Sequence, residues 1–149
     1  MSCKPIPERT PSGEAFTRLV LETFRLNGEL LTAENRLTKE FGLSSALWQA
    51  LGAIDDAPLS VARIARNMGL TRQSVRRTAN VLRKRGFVTF DENPDHKRAK
   101  LVVLTEIGRD ALDRVSRAQV SWADKISEGL TPEEIETAVR IINRLCERL

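Results

Sequence analysis

The spacing of Ala65, Gly69 and Val75, with the change of periodicity that follows it, constrains this chain most. Two helices that cross steeply over a tight turn need a small residue where they touch and a glycine able to take positive φ. They also need a branched apolar residue on the second helix. These residues stand four and then six positions apart, flanked by Ile64, Met68 and Leu70. The pattern predicts a short helix over 61–68 begun by Ser60, a turn at Gly69, and a helix capped by Thr71 that ends at Gly86. After Gly86 the apolar period falls to about two. Residues 87–91 and 99–104 then read as strands joined by Asn93-Pro94-Asp95-His96. Spacing alone leaves open a helical hairpin that only completes a core.

Long amphipathic segments flank this unit. From Gly13 to about Phe41, residues Phe16, Leu19, Val20, Phe24, Asn27, Leu30 and Leu31 recur at helical spacing. A helix of about 27 residues spans roughly 40 Å, more than a small core needs. Gly42 ends it, and Ser44 caps a helix over 45–55 with Leu47, Trp48, Leu51 and Ile54 inward. Pro58 closes that helix and Leu59 starts a short strand. Thr105 caps a helix to Gly129 with a stripe of Ile107, Ala111, Leu112, Val115, Trp122 and Ile126. Thr131-Pro132-Glu133-Glu134 opens the last helix, whose stripe runs from Ile135 to Leu149. Residues 1–12, with Pro5, Pro7 and Pro11, read as a disordered or extended arm. The expected fold is mainly α with a small β-hairpin, in one domain of 149 residues.

Charge separates the middle of the chain from its ends. Between Ser60 and Lys100 stand eleven basic residues against Asp91, Glu92 and Asp95, a net of +8, while the rest carries −4. So concentrated a positive field suits a polyanion. With Val75 central on the buried face of its helix, Thr78, Ala79 and Leu82 join it. Gln73, Arg77, Asn80 and Lys84 then point away, with Ser74 and Arg76 beside them. Arginine can pair bidentately with guanine and glutamine with adenine in the major groove, and serine can meet phosphates or base edges. A basic hairpin bearing Lys97, Arg98 and Lys100 can reach the adjacent minor groove or backbone. The predicted DNA-contacting set is Thr71, Arg72, Gln73, Ser74, Arg76, Arg77, Lys97, Arg98 and Lys100, with double-stranded DNA as partner.

Other classes find little support. His96 is the sole histidine and sits in a polar loop without a cluster of metal-ligand spacing, so no metal, cofactor or catalytic residue is expected. No phosphate-binding glycine loop or nucleophile elbow occurs, and an enzyme is not expected. No apolar run approaches a membrane span, and MSCKPIPERTPSGE has no signal-peptide core, which predicts a cytoplasmic protein. Cys3 and Cys146 make neither a disulfide framework nor a metal motif; a redox-sensing pair is the sharper alternative to two plain thiols.

The stretches LSVARIARNMGLTRQSVRRTANVLRKRGFV and NPDHKRAKLVVLTEIG resemble the MarR (multiple antibiotic resistance regulator) family, and the resemblance extends over residues 14–149. It implies a winged helix-turn-helix flanked by N- and C-terminal dimerisation helices. The recognition helix would be 71–85 and the wing 87–104. Residues 13–41 and 105–149 would dimerise, and 42–104 would form the DNA-binding region. It further implies a homodimeric regulator, a repressor on a pseudo-palindromic operator, and release by a small aromatic or anionic effector. Phe24, Arg25 and Trp48 are the candidate lining residues for that effector, unless Phe24 and Trp48 are plain core. A protein-interaction module and a redox-responsive regulator stand as alternatives. Two positions depart from the family's pattern: His96 stands where the wing commonly has an aspartate that orients Arg98, and Phe90 stands where an arginine is frequent.

Overall fold

Each helix of the computed structural model, which describes residues 7–149, opens on a hydroxyl side chain. Thr10, Ser44, Ser60, Thr71, Thr105 and Thr131 accept from the backbone N–H three residues on, satisfying a donor the helix itself leaves free. In order the elements are α1 (Pro11–Thr38), a 3-10 turn (Lys39–Phe41), α2 (Ser45–Gly52), β1 (Leu59–Ser60), α3 (Val61–Met68), α4 (Arg72–Lys84), β2 (Val88–Asp91), β3 (Leu101–Leu104), α5 (Glu106–Ile126) and α6 (Pro132–Cys146). Among the described residues the fold is mainly helical, with six α-helices and a small antiparallel sheet of order β1-β3-β2. Leu59 pairs with Val102, and Phe90 pairs with Val102 from the other side. The hairpin thus gains a third strand from the residues that begin α3.

Several boundaries differ from the sequence expectation. α1 begins at Pro11 rather than Gly13, because Thr10 caps it and proline fits a first turn that has no use for its N–H. α2 ends at Gly52, three residues early, and a turn carries Ile54 back into the core. The strands are shorter than expected, since residues 92–100 form a loop instead of continuing the ladder. α5 stops at Ile126, not Gly129. Cys3 and residues 1–6 of the expected arm lie outside the described residues.

The core sits where α2, α3, α4, the sheet and the first half of α5 meet: Leu51, Ile64, Leu82, Val88, Val102 and Val115 are almost fully buried. Gly69 turns the chain from α3 to α4 at φ 64°, a conformation that costs a Cβ-bearing residue about 1–2 kcal/mol. Val75 and Ala65 are buried on either side of that turn.

The ends of the fold are built differently. α6 has no buried residue, and Phe16, Leu19, Leu21 and Phe24 of α1 are exposed. Ile107, expected inward, is 62% exposed on the first turn of α5. Polar ties hold α1 to α2: the Glu34 carboxylate accepts from Ser45 Oγ and from Gln49 Nε2 (2.6 Å), and Asn35 Oδ1 accepts from Ser45 N at 2.8 Å. Arg109 of α5 pairs with the Asp55 carboxylate and donates to its carbonyl oxygen at 2.9 Å, anchoring α5 to the turn after α2.

Candidate nucleic-acid interface

Burial of Val75, Ala79 and Leu82 fixes how α4 is rolled on the core. At about 100° per residue, Gln73, Arg77 and Lys84 then stand opposite the core, and all three are exposed. Arg72, Arg76 and Asn80 lie on the flank that faces the sheet. They form one wall of a groove of about 390 Å³ whose other walls are Ser60–Ala62 of α3's first turn and Phe90, Arg98, Ala99 and Lys100. Two cations of the helix therefore meet two of the wing across one concavity, and no acidic residue lines it. No acid occurs anywhere from Ala57 to Phe90. Such a surface accepts a polyanion, with the helix N-termini of α3 and α4 adding their partial positive charge.

The MarR family sequence model matches residues 41–99. The chain is 31% identical over 132 residues to the uncharacterised protein Rv2011c of Mycobacterium tuberculosis, covering 89% of this chain and 92% of that one. The chain belongs to the MarR family. It is a DNA-binding transcriptional regulator of that family, and other relatives carry such names. TcaR of Staphylococcus aureus, an HTH-type transcriptional regulator, is 28% identical, with 87% of this chain and 88% of that one covered. The transcriptional repressor MprA of Escherichia coli is 25% identical, with 90% and 76% covered. Among solved structures, BldR of Sulfolobus solfataricus superposes with TM-score 0.81 at 18% identity, covering 95% of this chain and 100% of that one. MOSR of M. tuberculosis, solved in complex with DNA, gives 0.74 at 20% identity, covering 87% and 96%.

In this MarR chain the wing loop is held by local hydrogen bonds of its backbone and of the Asn93 side chain. Asn93 Oδ1 accepts from Asp95 N at 3.0 Å, Asn93 O from His96 N at 3.2 Å, and His96 O from Ala99 N at 2.9 Å. Among the described residues neither Asp95 nor Glu92 forms an ion pair with Arg98. His96 and Asp95 instead border a second hollow, beside Arg63 and Arg66 of α3. Arg98 lines the groove without a carboxylate partner among the described residues. Phe90 carries no charge, yet the guanidinium of Arg83 lies over its ring, 5.1 Å from the centroid.

Of the predicted DNA-contacting residues, Arg72, Arg76, Arg98 and Lys100 are brought together in the groove. Gln73, Ser74 and Arg77 are exposed on α4 outside it, and Lys97 is exposed on the wing loop. Thr71 serves as the α4 cap, its Oγ1 accepting from Ser74 N at 3.1 Å, which leaves its own hydroxyl proton to donate. Ser60, Asn80 and Phe90 also line the groove although none was among the predicted contacts, and Arg83 adjoins it through the Phe90 ring. The repeat Arg72, Arg76, Asn80 at four-residue spacing was the available signal.

The three effector candidates are not gathered. Phe24 is 70% exposed in the single chain, while Trp48 packs half-buried against the core. Arg25 pairs with Glu22 at 3.4 Å on the open face of α1. A hollow of about 590 Å³ lies nearby instead, between Asn27 and Leu31 of α1, Gln49 and Ala53 of the α2 segment, and Asn67, Met68 and Leu70 of the α3 turn. Among the described residues no group of three or more His, Cys, Asp or Glu could hold a metal, and no helix is long and apolar enough to cross a membrane.

Proposed function

We propose that this regulator acts in the cytoplasm as a two-fold homodimer. The dimer occupies a pseudo-palindromic operator, represses the gene behind it, and lets go when a small ligand binds. The observation that carries the reading is the groove in which Arg72 and Arg76 face Arg98 and Lys100 while Gln73 and Arg77 stand outward. A phosphodiester strand seated in that groove would leave α4 in the major groove on one side and the wing over the minor groove on the other. Thr71, Ser74 and Lys97 add backbone contacts at the edges.

Surfaces that one chain leaves uncovered support dimerisation. Phe16, Leu19 and Phe24 of α1, Ile126 of α5, and Ile135, Val139 and Ile142 of α6 are all exposed, more large apolar side chains than these helices would leave to water in a lone chain. A two-fold axis pairing residues 11–41 and 105–149 of two copies buries these stripes and spaces the two recognition helices by about one DNA turn. Residues 42–104 form the reading head. The relative MprA, a transcriptional repressor, supports repression as the outcome.

For the effector, the hollow between α1, α2 and the α3 turn is the better-formed candidate than the exposed Phe24 and Arg25. Its walls are apolar groups with the amides of Asn27, Gln49 and Asn67, which suits a small aromatic with a polar substituent. Ligand there would bear on α1 and on the root of α4 at once.

Selection of duplexes from a random-sequence pool tests the reading. The expected product is an inverted repeat with half-sites about one helical turn apart. Enrichment of a single, asymmetric site, or of nothing, contradicts it.

A further inference from the structure

We propose that Phe90 is a positioning residue for DNA: its ring holds the Arg83 guanidinium at the groove, so that a seated phosphodiester meets five cations instead of four. This rests on the DNA-binding reading of the groove and adds to it a residue that bears no charge.

Helical spacing places Arg83 on the wing-facing flank of α4. Eleven residues separate it from Arg72, close to three full turns, so the two share a face with Arg76. Its Cζ lies 5.1 Å from the Phe90 ring centroid, within cation–π range. Among the described residues Arg83 forms no ion pair, and the Phe90 ring is the group its guanidinium rests on.

Phe90 is suited to this by its place in the sheet. It shares a face with buried Val88, two residues earlier, and pairs with buried Val102. At the end of β2 it emerges half-buried, with one part against the core and another lining the groove beside Arg76 and Arg98. The nearest acid, Asp91, alternates to the opposite face, where it accepts from Thr89 Oγ1 at 3.2 Å. A guanidinium resting on an aromatic face keeps its edge N–H donors free for phosphate oxygens. An arginine already ordered on that face also loses less freedom when it binds than one waving in solvent.

The test uses the full chain and a duplex that the wild-type protein enriches from random DNA. Binding is titrated over a range of salt for wild type, Arg83→Gln, Phe90→Leu, Phe90→Tyr and the Arg83→Gln/Phe90→Leu double variant. Thermal unfolding verifies that each folds, and Phe90→Met replaces Phe90→Leu if the latter does not. Arg83→Gln should flatten the slope of log affinity against log salt by about 0.9, the share of one phosphate. Phe90→Leu should remove part of the same slope although no charge changes, Phe90→Tyr should restore it, and the double variant should be no worse than Arg83→Gln alone. The proposal is overturned if Arg83→Gln leaves the slope intact, or if Phe90→Leu weakens binding additively at an unchanged slope, the mark of packing alone. If wild type enriches no duplex and shows no salt-dependent binding, it is the DNA-binding reading itself that fails.

Discussion

A Cβ placed on Gly108 would collide with the carbonyl oxygen of Phe87. That closeness is how α5 docks on the root of the wing. Thr105 donates its N–H to the same carbonyl at 3.1 Å and its hydroxyl to Gly86 O at 2.6 Å, while accepting from Gly108 N at 3.1 Å. The junction joins the reading head to the helix proposed to dimerise.

Gly108→Ala should therefore destabilise the fold although alanine is the better helix former. The propensity gain is about 1 kcal/mol, whereas overpacking against backbone costs roughly 1–3 kcal/mol and here lies at or beyond the upper end. A net loss of about 2 kcal/mol lowers Tm by roughly 4–8 °C in a chain of this size. Gly52→Ala is the control: nothing lies within 4 Å of its Cβ position and its φ is not positive. It should be neutral or stabilise by up to about 1 kcal/mol. Calorimetry at one protein concentration compares the two, and equal shifts would refute the close approach.

Removing the carboxylate of Glu34 should loosen α1 from α2. Ser45 is 1% exposed, and its hydroxyl and Gln49 both spend donors on Glu34. Glu34→Ala leaves those donors without that acceptor, at about 1–3 kcal/mol. Urea unfolding at fixed protein concentration should show the loss, and an unchanged midpoint would argue that water replaces the carboxylate freely.

Arg77 and Arg98 should fail differently when replaced by alanine. Arg77 stands opposite the core on α4, where a bidentate base contact contributes about 1–3 kcal/mol at one operator position. Arg98 lines the groove next to the wing, where the readout is mostly backbone or a degenerate minor-groove pattern. Arg77→Ala should relax sequence preference, and Arg98→Ala should weaken selected and scrambled duplexes alike with a flatter salt slope. Titration of both duplexes at several salt concentrations decides, and the reverse assignment would mean that helix and wing have been exchanged.

What was legible in the sequence is what local chemistry determines. Ser44, Ser60, Thr71, Thr105 and Thr131 were readable as caps because a hydroxyl before an apolar period has one common use. The Ala65, Gly69, Val75 spacing likewise led to a real turn, with Gly69 at positive φ. Thr10-Pro11 carried the same signal as Thr131-Pro132 but was hidden in a proline-rich stretch, so the start of α1 was set two residues late. Contacts across the fold left no local trace. The Arg109–Asp55 pair, the Glu34 ties, the Phe87–Gly108 approach and the Arg83–Phe90 stack each join residues that no periodicity links. Asn80 could be given an outward direction from spacing, yet only the position of the wing shows that it borders the groove.

Sedimentation of the full chain, alone and with the selected duplex, reports whether two copies of one groove read DNA as a dimer. A dimer at about 1 μM that binds one duplex per two chains is expected. A stable monomer at that concentration, binding its selected duplex tightly as a single chain, would contradict it.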